Sequence, residues 1–191
     1  MPPEVSALRG VGPQVAKKLA RLGIRTVQDV LFHLPFRYQD RTRLSPIGQV
    51  QPGQEVLVHG EVLLSAARPG RRRSLVTMIS DNTGTLTMRQ FHFSAAQQRT
   101  LKRGRWIQCY GEVRSGVAGP ELVHPEYRVL SGPEDVIIEA SLTPVYPTTD
   151  GLGQKTWRKL TSEALARSFE DIPELLPENI IELYRLPQIA K

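Results

Sequence analysis

The sequence predicts a mainly β fold, a small closed barrel of short strands with helices before and after it. Five short segments rich in β-branched residues alternate between apolar and polar positions across the middle of the chain, as half-buried strands do. Clusters of Gly, Pro, Asn and Asp separate these segments, as turns between strands require. Before residue 50 and after residue 131, apolar residues instead recur at helical spacing.

A short helical hairpin is predicted over residues 1–49. Apolar residues recur at helical spacing from Val15 to Leu22, and Gly23 is suited to end this first helix. A second helix is expected to begin at Thr26, a good N-cap, and to end before Pro35. Two helices joined by a glycine turn resemble the helix-hairpin-helix arrangement.

The barrel is predicted over residues 50–131. Strands are expected at 56–64, 75–79, 85–93, 105–113 and 121–129, with a short helix at 95–101. Three strands, a helix and two further strands is the order of the five-stranded Greek-key OB-fold barrel. Such barrels bind oligonucleotides on strands two and three and on the loops that follow strands one and four. Residues 132–191 are expected to form an acidic linker with one helix.

The charge distribution favours a polyanionic partner. The formal net charge is +6, but residues 1–131 hold 19 Lys and Arg against 9 Asp and Glu, a balance of +10. Residues 132–191 hold 6 against 10, a balance of −4. Most of the basic residues are arginines, whose planar fork donates two parallel hydrogen bonds to phosphate. The pattern is typical of nucleic-acid binding, and a merely soluble basic protein is the alternative.

Several other classes of protein are disfavoured. A single cysteine, Cys109, excludes an internal disulfide framework and suits a reducing cytoplasm. No signal-like segment and no apolar run near the roughly 20 residues of a membrane span is present in the sequence. The four histidines lack a short-spaced ligand pair, and no Gly-Lys pair exists to form an ATP-binding phosphate loop. The chain alone is therefore expected to need no metal or cofactor and not to be an enzyme.

The predicted third strand carries the strongest candidate site. Period-two alternation places Arg89, Phe91 and Phe93 on one of its faces. The opposite face carries Leu86, Met88, Gln90 and His92. If Leu86 and Met88 line the barrel, the arginine and the phenylalanines face outward and can hold a DNA backbone and stack its bases. The alternative is that both phenylalanines are core residues.

An arginine-rich hairpin loop is the second candidate. Arg68, Arg71, Arg72 and Arg73 lie between the predicted strands one and two, where an OB barrel contacts nucleic acid. The alternative is a solvated hairpin tip whose charges discourage edge-to-edge aggregation.

The string Leu8-Arg9-Gly10-Val11-Gly12-Pro13 is the third candidate. Gly10 and Gly12 would let backbone N–H groups approach a phosphate at a helix N-terminus, and Lys17 and Lys18 would add positive charge. A structural helix start that uses glycine for its turn geometry is the alternative.

Five strings, in this order and spacing, closely resemble the N-terminal part of the bacterial RecG helicase family: LRGVGPQVAKKLARLGI, DVLFHLPFRYQDRT, SDNTGTLTMRQFHFSAAQ, HPEYRVL and LTPVYPTTDGLGQKTWRKL. The resemblance extends from about Val5 to at least Leu160. It implies an OB-fold wedge domain placed at the fork of branched DNA, with aromatic side chains stacked on bases at the branch point. In the family, two C-terminal motor domains hydrolyse ATP and pull the duplex arms, which reverses stalled replication forks and moves Holliday junctions in DNA repair and recombination.

The chain departs from the family pattern in two respects. The family often has two adjacent aromatics at the positions of Gln90 and Phe91, so that stacking here would fall on Phe91 or be shared with Phe93. The sequence also stops at Lys191, where such a helicase would enter its first motor domain, so ATP and Mg²⁺ are expected only for the motor domains, which lie in cis in a full-length protein. The resemblance thus implies a monomeric, cytoplasmic, nucleoid-associated protein that binds branched DNA and no membrane.

Two other functions stay open from the sequence. One is a general OB module that binds single-stranded DNA or a protein partner. The other is a structure-specific nuclease, which would need clustered carboxylates for metal ions, whereas the acidic residues here are dispersed.

Overall fold

The computed structural model describes residues 2–70, 72–168 and 176–187. Its helices are α1 Pro13–Ala20, α2 Val27–Phe32, α3 Ala95–Thr100, α4 Gln154–Ser168 and α5 Glu178–Tyr184. Its strands are β1 Arg37–Gln39, β2 Glu55–Arg68, β3 Ser74–Ser80, β4 Thr85–Gln90, β5 Trp106–Gly116, β6 Gly119–Val123, β7 Glu126–Leu130 and β8 Thr143–Val145. Within the described part of the chain, no helix is both long enough and apolar enough to cross a membrane.

The chain packs into two units. The first combines Met1–Tyr38 with Pro144–Lys191, and the second is Gln39–Thr143. This differs from the three parts expected from sequence, 1–49, 50–131 and 132–191, because helices from the two ends of the chain share one core. Strands β1 and β8 pair with each other where the chain passes from one unit to the other.

The second unit is the predicted OB barrel. Its strands are paired in the order β2-β3-β4-β6-β5, and β2 pairs with β5 to close the ring. All pairs in the ring are antiparallel except β4 with β6, which are parallel and are not consecutive in the chain. Alternate strand residues, together with Ile47 and Leu101, fill the interior with apolar side chains. The predicted fold class is therefore confirmed.

The predicted fifth strand is two strands. His124 has φ of 50°, a left-handed conformation that no continuous strand adopts, and it divides β6 from β7. Strand β6 pairs with β4 and β5 and completes the barrel, whereas β7 pairs only with the first half of β5. This break turns the chain at the end of β6 and places the His124 side chain at the end of β4.

The first unit packs α1, α2 and α4 around a core that includes Leu19, Val30 and Trp157. Thr26 is the N-cap of α2, as predicted, and it forms a capping box with Asp29. Helix α2 ends at Phe32, three residues before Pro35. The ring of His33 then stacks on Trp157, with 4.3 Å between centroids, and its Nε2 lies 2.9 Å from the carbonyl oxygen of Pro147.

Candidate nucleic-acid interface

The alternation predicted for the third strand holds as far as Gln90. Leu86, Met88 and Gln90 are buried in the barrel, and Arg89 faces outward. Strand β4 ends at Gln90, so the residues after it no longer follow the period of two. His92, which alternation places inward, is exposed.

Arg89 lies on the outward face but is already paired. Its Nε donates to Glu121 Oε1 at 2.7 Å and its Nη2 to Oε2 at 2.9 Å, a bidentate ion pair between β4 and β6. Both side chains are mostly buried, with 27% and 11% exposed, and the hydrogen bonds to Glu121 raise the pKa of Arg89. The guanidinium therefore links β4 to β6, and its paired N–H groups are not free to bind a phosphate as the sequence suggested.

Phe91 forms a small aromatic cluster with two histidines. Its backbone N–H donates to His124 Nε2 at 3.4 Å, and the two ring centroids are 5.5 Å apart. The His92 ring lies 5.9 Å from that of His124 at an interplanar angle of 22°. Phe91 is half-buried and lies outside the barrel core. These three rings, called the rim cluster below, present aromatic surface at the end of β4.

Phe93 has a different environment. It is half-buried and packs against the barrel core, and the Arg73 guanidinium carbon lies 5.0 Å from its ring centroid. A cation over an aromatic face is attractive, by about 0.5–1 kcal/mol at exposed sites. Phe93 thus anchors Arg73 near the barrel end.

The arginine hairpin extends from the barrel as predicted. Strand β2 continues to Arg68, which pairs with Ser74 at the start of β3. Arg68, Arg72 and Arg73 are exposed, as phosphate contacts must be, whereas Arg71 lies outside the described residues. Arg73 connects this hairpin with Phe93, so the predicted basic loop and one predicted aromatic are neighbours.

The glycine turn before α1 contacts α4 instead of facing solvent freely. Gly10 has φ of +88°, which explains the glycine there, and Gly12 is the N-cap of α1. The backbone N–H of Arg9 donates to a Glu163 carboxylate oxygen at 2.9 Å. Lys18 Nζ donates to the Gly151 carbonyl at 2.9 Å, whereas Lys17 is exposed. A carboxylate of the same unit thus occupies one donor of this turn, which favours the structural alternative.

The described residues contain no group of three or more His, Cys, Asp or Glu side chains that could hold a metal ion. Burial raises the pKa of the Cys109 thiol to about 12, so this cysteine is an inert core residue.

A family model described as the RecG wedge domain matches residues 4–167. The chain belongs to the RecG wedge family. The ATP-dependent DNA helicase RecG of Escherichia coli K12 is 48% identical over 198 residues, which cover 96% of this chain and 28% of the relative. The Haemophilus influenzae protein of the same name is 40% identical, over 91% of this chain and 25% of its own length.

A solved structure supports the family assignment. A RecG structure described as bound to a three-way DNA junction matches 98% of this chain and 26% of its own chain, with a TM-score of 0.74 and 26% identity. The chain thus spans about a quarter of the length of its wedge-family relatives.

Gln90 stands where the resemblance to the wedge family implies the first of two adjacent aromatics. Gln90 is 5% exposed, and its Oε1 has no hydrogen-bond partner among the described residues. Position 90 therefore faces the barrel interior, and an aromatic there would be a core residue. Of positions 90 and 91, only position 91 lies outside the barrel interior and carries an aromatic ring, so Phe91 is the stacking candidate.

His124 is the member of the rim cluster that the sequence did not reveal. It lies 33 residues after Phe91, and no local pattern relates the two. The sequence signal at this position is the His124-Pro125 pair, because proline is disfavoured within a continuous strand.

Proposed function

We propose that this chain is a branched-DNA-binding wedge that holds apart the strands at a fork or Holliday junction. The observation that carries the proposal is the rim cluster, set at one end of an OB barrel that also bears exposed hairpin arginines. Membership of the wedge family and the junction-bound state of a related structure support it.

The rim cluster would act by replacing stacking that is lost when a base pair opens. An aromatic side chain stacked on a base contributes about 1–3 kcal/mol, and a DNA stacking step is worth about 1.4 kcal/mol on average. One stacked phenylalanine thus offsets about one broken step. Phe91 can stabilise an opened junction, but opening many pairs in succession requires external work.

The hairpin would hold the DNA backbone. Arg68, Arg72 and Arg73 are exposed and can each contact a phosphate without reading the sequence. Arg73 is fixed over Phe93, so a phosphate bound there is held at a defined place beside the barrel. Each phosphate contact with duplex DNA adds about −0.9 to the slope of log affinity against log salt concentration.

The larger activity belongs to a longer protein. In a full-length wedge-family member, motor domains in cis would bind ATP and Mg²⁺ and supply the work of fork reversal and branch migration. We propose that the chain acts as a monomer in this setting, on nucleoid DNA in the cytoplasm, and that it contributes binding and no ATP hydrolysis of its own.

A competition experiment tests the proposal. A labelled fork is bound by the chain, and unlabelled fork, single-stranded or duplex DNA of equal length competes. A wedge gives a clear preference for the fork, and its affinity falls steeply between low and physiological salt. Equal competition by single strands would favour the general OB module, and a flat salt dependence would refute the electrostatic part of the proposal.

A further inference from the structure

The turn between α3 and β5 carries three basic side chains. Lys102, Arg103 and Arg105 are all exposed, and none of them has an ion-pair partner in the described part of the chain. Lone charges on a surface are usually only solvated. These three residues, called the basal turn below, differ from other exposed charges in their position in the fold.

The basal turn is fixed at the root of the arginine hairpin. The Val62 backbone N–H donates to the Arg105 carbonyl at 2.8 Å, and the Gly104 N–H donates to the Val62 carbonyl at 2.9 Å. The pairing of β2 with β3 shifts register just after Val62, and β2 then continues to Arg68 at the hairpin. At about 3.3 Å per residue, the root and the tip are ~20 Å apart. The two basic groups therefore lie at opposite ends of one two-stranded arm.

Aromatic surface lies beside the basal turn. Trp106 follows Arg105 directly, is partly exposed, and has its ring centroid 5.6 Å from that of His59. A carboxylate, that of Glu61, lies opposite Trp106 in the β2–β5 pairing. Residues 101–106 themselves contain these three cations and no acidic residue. Basic side chains next to an aromatic ring are typical of surfaces that track a nucleic-acid strand.

We propose that the basal turn is a second contact site for the phosphodiester backbone of DNA, separate from the hairpin. This site rests on the proposed function, since it requires that the chain binds DNA. The ~20 Å between the two sites corresponds to about six nucleotides at 3.4 Å per nucleotide. That span lies within the roughly 4–16 nucleotides that an OB fold covers. The two sites thus contact different phosphates of the same bound DNA.

A charge-removal variant with a matched control tests the site. In Arg103→Gln/Arg105→Gln, the slope of log affinity for fork DNA against log salt should fall in magnitude by up to about 1.8, for two lost phosphate contacts. Lys155→Gln/Lys159→Gln removes the same charge from exposed positions of α4 and should leave the slope unchanged. Thermal melting confirms that both variants are folded.

A second readout reports on the site directly. Trp106 and Trp157 are the two tryptophans of the chain, and Trp157 is fully buried in the first unit. Saturating fork DNA should change the fluorescence of the wild-type chain. The change should be absent in Trp106→Phe and reduced in Arg103→Gln/Arg105→Gln.

Independence from the hairpin is tested by combination. Sites ~20 Å apart without shared partners should contribute additively. The losses of slope in Arg72→Gln/Arg73→Gln and in Arg103→Gln/Arg105→Gln should therefore add in the quadruple variant.

Three results would overturn the site: an unchanged slope in Arg103→Gln/Arg105→Gln, an equal loss in the α4 control, or DNA-dependent fluorescence that persists in Trp106→Phe. If the wild-type chain has no affinity for fork DNA, the proposed function and the basal site both fall. Normal wild-type binding with an unchanged slope in the variant removes the basal site alone.

Discussion

Replacing Phe91 by alanine should separate fork recognition from folding. Phe91 is half-buried, lies outside the barrel core, and contacts His124. If its ring stacks on one base at the junction, Phe91→Ala should cost about 1–3 kcal/mol of fork preference. At 1.4 kcal/mol per tenfold, this is roughly a 5- to 140-fold loss in the ratio of fork affinity to duplex affinity.

The same change should have a small effect on stability. Truncating a buried phenylalanine costs about 3–5 kcal/mol, because the missing ring leaves a cavity. Phe91 loses only its partial burial and the contact with His124, so the free energy of unfolding should fall by about 1 kcal/mol or less. The backbone N–H that donates to His124 is retained in the variant.

Fluorescence anisotropy with fork and duplex DNA gives the two affinities, and urea unfolding gives the stability. Phe93→Ala is the matched control, since Phe93 packs against the barrel core and carries Arg73. It should lose more stability than Phe91→Ala and less fork preference. A loss of several kcal/mol of stability in Phe91→Ala, with fork preference intact, would refute the reasoning and place Phe91 in the core.

Three further substitutions test the hairpin, the barrel interior and the start of α2. Arg72→Ala/Arg73→Ala should weaken binding to fork and duplex DNA alike, because phosphate contacts position the protein on DNA without selecting a sequence or structure. The slope of log affinity against log salt concentration should fall in magnitude by up to about 1.8. A loss of affinity confined to forks would show instead that the loop recognises the junction. Gln90→Met should raise the free energy of unfolding, measured in urea, by about 1 kcal/mol, because methionine has a similar volume and lacks the buried unpaired oxygen. Lower stability in the variant would mean that the Gln90 amide has a hydrogen-bond partner in solution. Asp29→Ala should destabilise the first unit by about 1 kcal/mol at pH 7, because the Asp29 carboxylate accepts the N-cap N–H of the capping box. Hydrogen bonds from the backbone N–H groups of Arg25 and Thr26 hold the pKa of that carboxyl below its usual value. The difference in stability between variant and wild type should therefore be complete above about pH 4 and disappear as the pH falls further. A stability difference that persists at low pH would show that the carboxylate charge is not its cause.

Features that depend on neighbouring residues were predictable from the sequence. The capping box at Thr26 needs only a partner three residues away, and the burial of Leu86 and Met88 follows from the period of a strand. The order of strands and one helix was enough to identify the barrel, because the connections allow few closed arrangements.

Features that depend on distant partners were not predictable. The Arg89–Glu121 pair joins residues 32 positions apart, and nothing local indicates that Arg89 has a fixed partner. The break at His124 requires a left-handed backbone conformation, which is uncommon for any residue other than glycine. The shared core of the first unit likewise contains both Val30 and Trp157, which are separated in sequence by the whole barrel.

The division of the first unit between the two ends of the chain has a consequence during synthesis. Gln39–Thr143 is continuous, so the barrel can fold as soon as it leaves the ribosome. Helices α1 and α2 emerge earlier, but their partner α4 is translated only after the entire barrel. At roughly 5–20 residues per second, the apolar faces of α1 and α2 lack their partner helix for about 6–24 seconds. For that interval α1 and α2 lack the core that covers their apolar faces in the folded unit, and α4, made after the barrel, completes that core.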